Sequence, residues 1–193
     1  SMAAYTDNLK IENTSIDRMS IEELEVMVMA LVEGMSAHDM PPDSFKHIPF
    51  TIELSVSEAN WHQLHRHNRK ADFSFGLIHP ENGVTIPVIA QQSEDIYALY
   101  EEADSISSEL YDTINTVLTL DGDDYKANYH AQYAALNMHH RNVYMTISLW
   151  SLHHLINLRT TDEAQGDIRN TFNKVYDSFV TRYPVFANSL KRR

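Results

Sequence analysis

The stretch from Ser148 to Arg169, SLWSLHHLINLRTTDEAQGDIR, sets one arginine between two helical patterns. Apolar residues recur at helical spacing from Thr146 to Leu158, and Thr160-x-x-Glu163 is a capping box predicting a second helix over Asp162 to Tyr183. Arg159 stands at the joint. A helix N-terminus offers unpaired N–H groups and a positive dipole end, so an arginine beside it makes a phosphate cradle. The competing chemistry is local: Asp162 and Glu163 complement that dipole and give Arg159 a carboxylate to pair with. A second concentration lies in WHQLHRHNRK, Trp61 to Lys70, with three cations, three histidines and no acid in a chain whose net charge is −12. Positive potential gathered on an acidic protein suits an anionic ligand, and it equally suits a solvated basic helix end.

The elements that must carry these groups are legible in the pattern. Ser20-x-x-Glu23 is a capping box before Ile21, Leu24, Met27, Val28, Leu31 and Val32, which predicts an amphipathic helix ending near Gly34. Phe50, Ile52, Leu54 and Val56 alternate with polar residues as a half-buried strand, and Ser57 caps a helix bearing Trp61 to Leu64. Arg66 and His67 then fall at an element end, where ligands commonly sit. Phe73 to Ala90 reads as strand, turn (Pro80 to Gly83) and returning strand, with Pro80 and Pro87 indicating an edge. From Ser93 the chain turns helical, with Ile96, Leu99, Tyr100, Ala103, Ile106, Leu110 and Ile114 on one face. Leu120 to Asp124 separates this from a helix over Tyr125 to about Asn137, and the last helix buries Ile168, Phe172, Val175, Phe179 and Val180. The expected fold class is α+β, mostly helical with one small antiparallel or mixed sheet, as an N-terminal arm (1–19) and a single domain (20–193).

Composition removes whole classes of function. At 193 residues and 43% hydrophobic, the chain has enough material for one sizeable core. With no cysteine, disulfides, thiolate metal sites and thiol nucleophiles are excluded. The negative charge disfavours a nucleic acid polymer as partner, and no apolar run is long enough to span a bilayer. A soluble, cytoplasmic protein is expected, with Ser1-Met2 as a cleavage scar before the natural start. Five glycines cannot assemble a P-loop or a Rossmann fingerprint. Eleven histidines invite a metal, but there is no HExxH and no Glu-x-x-His pair, so no metal site is expected; Asp121-Gly122-Asp123-Asp124 lacks the closing glutamate of a calcium loop.

Two separated segments carry a resemblance. Asn157-Leu158-Arg159, Ala164-Gln165 and Asp167-Ile168-Arg169, with Tyr183-Pro184-Val185-Phe186 downstream, resemble the C-terminal half of the flavin-dependent thymidylate synthases. Ser44 to Thr51 resembles that family's histidine-bearing lead into a strand, and Gln63, Arg66 and His67 fall where it places a glutamine and the first two residues of its Arg-His-Arg signature. The absence of cysteine agrees, since this class delivers a hydride from reduced flavin and needs no enzyme thiol. The chain is a divergent member by this measure. Asn68, Ala71, Phe73, Gly76 and Ile78 occupy the remaining signature positions, and a gap would recruit Ser74, Arg69 or Lys70 instead. Ser148-Leu149-Trp150 stands for the family's Asn-x-Arg, and Glu163 for its histidine.

The resemblance implies FAD as cofactor, held by His47, Arg66, His67 and Asn157. It implies a pyrimidine deoxynucleotide held by Gln63, Ser74 and Arg159, and no residue is singled out as catalytic. The implied reaction is reductive methylation of dUMP to dTMP, with methylenetetrahydrofolate as carbon donor and NADPH as reductant. The implied assembly is a homotetramer in which Arg66 and His67 of one chain meet Arg159 of another. The altered loop leaves two other expectations: a flavin enzyme modifying another pyrimidine nucleotide, and a non-catalytic flavin-binding or structural paralogue.

Overall fold

The computed structural model describes residues 19–36, 38–120, 122, 124–187 and 190. Nearly all of the expected N-terminal arm, together with Asp121 and Asp123, lies outside the described residues. Helix α1, Ile21–Val32, opens on the capping box read from the sequence, Ser20 accepting from the Glu23 N–H and Glu23 accepting from the Ser20 N–H. A 3-10 turn, Asp43–His47, leads into strand β1, Pro49–Ser57. Ser57 caps helix α2, Glu58–Leu64, by accepting from the Asn60 N–H, and α2 tightens into a 3-10 turn over His65–His67. Strands β2 (Ala71–Phe75) and β3 (His79–Val84) precede the long helix α3, Glu94–Thr119, and helix α4, Asp124–Ala131. Strand β4, His139–Ser148, is followed by α5, Leu149–Arg159, and α6, Gly166–Arg182.

The sheet is antiparallel, with β4 at its centre between β1 and β2 and with β3 joined to β4 at His139 and His140. Three sequence expectations are corrected here. Thr146 to Ser148 belong to β4 and not to the helix, which starts at Leu149 after Ser148 caps it by accepting from the Ser151 N–H. The segment Pro80 to Gly83 lies within strand β3 and not in a turn between two strands, and each of β2 and β3 pairs with β4. Helix α6 begins at Gly166, not at Asp162.

One face of the sheet carries the core. Val143, Met145 and Ile147 of β4 pack with Leu149, Leu152, Leu155 and Ile156 of α5 and with Ile168, Phe172, Val175 and Phe179 of α6. This apolar burial is the main force holding α5 and α6 on the sheet. The opposite face presents Thr51, Glu53 and Ser55 of β1 beside Thr146, Tyr144 and Asn142 of β4. It has no cover among the described residues, as Thr51, Glu53 and Tyr144 remain exposed. Of the residues expected on one face of α3, Ile96, Leu99, Ile106 and Leu110 are exposed and Tyr100, Ala103 and Ile114 are half-buried, whereas Ser107 and Tyr111 face inward.

Candidate functional site

The side chains that could hold an anion converge at the C-terminal ends of α2 and α5. Strand β1 and the Ser57 cap aim α2 so that its final turn delivers His67 to the last residue of α5, Arg159. Arg159 Nε and Nη2 lie 3.1 and 2.7 Å from His67 Nε2. A guanidinium only donates, so His67 Nε2 accepts and its proton belongs on Nδ1. That leaves an N–H of the imidazole to donate to a ligand.

Burial lowers the His67 pKa to about 4, helped by the positive neighbours Arg159, His154, Lys70 and Arg66. Every charged group acting on it is basic. Burial and Arg66 likewise lower the pKa of Arg159, which stays a cation. Among the described residues no carboxylate pairs with Arg66, Lys70 or Arg159. Cations crowded together with no carboxylate raise one another's free energy, and a bound anion relieves all of them at once.

Asp162 does not take Arg159. It pairs instead with Arg169 at 3.0 Å, pinning the loop before α6 to that helix's first turn. The expected capping box is also absent: Thr160 closes α5, its hydroxyl donating to the Ile156 carbonyl at 2.8 Å, and Glu163 bonds to its own backbone and to Thr161. Arg159 is therefore a helix C-terminal residue, and its anion site is built from side chains rather than from a helix N-terminus.

Of the expected residues, Arg66, His67 and Arg159 are brought together. His67 and Arg159 meet within one chain, so this contact needs no second subunit. Gln63 bonds through its amide to Gln165, the residue before α6, which places it beside the cluster on the same helix α2. Asn157 lies buried on α5 and lines a small cavity of about 90 Å³ with Trp150, His153 and His154. His47 is exposed at the end of its 3-10 turn, whose Lys46 ammonium lies 5.1 Å from the Trp150 ring. Ser74 stands apart: it pairs with Tyr144 and shares the uncovered sheet face, whereas the cluster sits on the covered one. Lys70 was expected only as a residue that a gap in the signature loop would recruit, and His154 was not expected at all. Lys70 ends the same basic run, and His154 lies on the same helix as Arg159, so proximity in sequence was the available signal.

Comparison with known proteins places the fold. Two solved structures of flavin-dependent thymidylate synthase ThyX from Helicobacter pylori, each determined with FAD and dUMP, are similar in fold. One has a TM-score of 0.56 at 15% identity and covers 89% of this chain and 85% of that one. The other has a TM-score of 0.57 at 16% identity and covers 94% of this chain and 91% of that one. No curated protein matches the chain in sequence. The family model for thymidylate synthase complementing protein matches residues 4–185, and the chain belongs to this Thy1 family.

Proposed function

We propose that this family member catalyses reductive methylation of dUMP to dTMP with FAD as cofactor, methylenetetrahydrofolate as carbon donor and NADPH as reductant. The observation that carries the proposal is the carboxylate-free pair of Arg66 and Arg159 around a neutral His67. Its chemistry fits the phosphates that both FAD and dUMP bear. Family membership and the likeness to the Helicobacter pylori structures, which hold FAD and dUMP, support the same reading. Arg66 and His67, with His47 and Asn157 further along α5 and its neighbouring turn, are assigned to the flavin. Gln63 and Arg159 are assigned to the nucleotide. Bound FAD supplies a hydride when reduced; the protein's part is to place the ligands and neutralise their anionic groups.

A homotetramer with shared sites is part of the proposal. Its support is the apolar surface left on α1 and α3, where Ile21, Leu99, Ile106 and Leu110 are exposed. Ser74 enters the site only through a neighbouring subunit, because it lies on the other face of the sheet. A cytoplasmic location is likewise proposed; among the described residues no helix is long and apolar enough to cross a membrane.

A second reading rests on Ile78. This residue occupies a signature position and is buried, so it offers a phosphate nothing. The loss falls on every pyrimidine nucleotide alike, and the second reading is an enzyme acting on one other than dUMP. One experiment separates the readings. Reconstitution with FAD should give the visible absorbance of bound flavin. After reduction, methylenetetrahydrofolate should reoxidise it with dUMP present and not with dCMP. Reoxidation with dCMP alone would establish the second reading, and a protein that takes up no FAD would overturn both.

A further inference from the structure

We propose that Lys46 and Lys70, held over the indole of Trp150, form a clip for the diphosphate of the flavin dinucleotide, a contact separate from the His67–Arg159 pair. This inference rests on the FAD reading above. The two lysines come from different elements, the 3-10 turn before β1 and the residue before β2, and their ammonium groups lie 5.1 and 5.4 Å from the centroid of one ring. Both distances are within reach of a cation–π attraction, which orders the long side chains without neutralising them. Lys46 has a carboxylate, Asp43, at 2.6 Å; Lys70 has none within ion-pair distance among the described residues. The pair therefore keeps a positive charge that the protein leaves uncompensated.

Position makes the clip part of the same ligand's path. The Lys70 N–H donates to the His67 carbonyl at 2.8 Å, so the lysine is anchored to the turn that carries the cluster. Lys46 precedes His47, and the turn bearing both is fixed to α5 where the Leu149 N–H donates to the Ile48 carbonyl at 2.8 Å. His154, which acts on His67, lines one cavity with Trp150 on α5, so an extended ligand held at the His67–Arg159 pair and running along α5 toward His47 would meet both ammonium groups. Two point charges on separate elements suit two linked phosphates better than one, because each phosphate brings its own anionic oxygens. FAD and NADPH of the proposed reaction both carry linked phosphates and dUMP carries one; the clip is assigned to FAD because Lys70 is anchored to the turn whose His67 is assigned to the flavin.

The test is a binding titration with FAD, inorganic pyrophosphate and riboflavin on the assembled protein. Lys70→Met and Lys46→Met keep most of each apolar stem and remove the charge, and each should weaken FAD and pyrophosphate about tenfold to a hundredfold. Riboflavin, which has no phosphate, should bind to within about twofold of the unsubstituted protein. Lys70→Arg and Lys46→Arg should restore affinity, which a purely structural role for the stems would not require. FAD binding equally well to the unsubstituted protein and to the double methionine variant overturns the clip and leaves the proposed function standing. Pyrophosphate bound in a lysine-dependent way by a protein that refuses FAD keeps an anion clip and overturns the flavin reading.

Discussion

Arg141 and Arg159 hang from the same core and are treated in opposite ways. Arg141, on the inward face of β4, is 8% exposed; its Nε donates to Glu58 at 2.6 Å and its Nη1 to the Gly76 carbonyl at 3.2 Å. Its guanidinium lies 5.5 Å from the ring centroids of both Trp61 and Phe75. That charge is paired with a carboxylate inside the chain. Arg159 meets only a neutral imidazole, with Arg66 adding to its positive surroundings. A buried cation paired with a carboxylate is a structural part. One held by a neutral acceptor among other cations retains its capacity for an anion. The difference separates a candidate ligand site from a fold contact without reference to sequence position.

The contrast is broken first at Arg141. Arg141→Met should leave Glu58 without its main partner and lower unfolding free energy by roughly 3 to 5 kcal/mol, seen as a drop in the denaturant midpoint. Ligand affinity measured well below that midpoint should hold. Arg159→Ala should do the reverse, costing about 2 to 4 kcal/mol of nucleotide binding while changing the midpoint little. Equal effects of the two substitutions on binding would erase the distinction drawn here.

His67 sharpens it through pH. Its folded pKa of about 4 lies below the ordinary 6.5, so the unfolded chain binds the proton more readily. The stabilisation is complete above the unfolded value and is lost as pH falls from about 6.5 through 4. His67→Gln should flatten the melting-temperature profile across that window. In the intact protein, a phosphate ligand should raise the His67 pKa, followed by imidazole chemical shift, because it offsets the cations that hold the value down. No such rise should accompany an uncharged ligand such as riboflavin.

The same contrast explains what the sequence concealed. Helix α1, strand β1 and the Ser57 cap were legible because each announces itself locally: a reciprocal box, an alternation and a hydroxyl before a helix. Strand β4 was not. Its inward positions begin with His139 and Arg141, whose partners Asp104 and Glu58 lie far away in sequence, so the alternation seen in Val143, Met145 and Ile147 starts with two polar residues. At its other end the strand runs straight into the apolar residues of α5, and only the Ser148 cap marks the change. The cationic cluster was half legible. Arg66, His67 and Lys70 are a run in the sequence, but the contact that joins them to Arg159 depends on β4 being the central strand. The Thr160 box misled for a related reason: a hydroxyl and a carboxylate at the right spacing also serve to close the preceding helix and brace a loop.

Ser74 poses the smallest and most discriminating question. It pairs with Tyr144 on the face of the sheet that carries Thr51 and Thr146, whose hydroxyls lie 3.0 Å apart. That face is polar and uncovered among the described residues, and a serine there lies on the opposite side of the sheet from a ligand held by the His67 and Arg159 of its own chain. In a homotetramer with shared sites it can reach a nucleotide held by a neighbour, and Ser74→Ala should then weaken dUMP binding by roughly 0.5 to 1.5 kcal/mol, the value of one hydroxyl contact. Dilution that dissociates the oligomer should abolish the difference between the serine and alanine forms. Unchanged affinity in the assembled protein would confine nucleotide recognition to the covered face and leave the uncovered one to subunit packing alone.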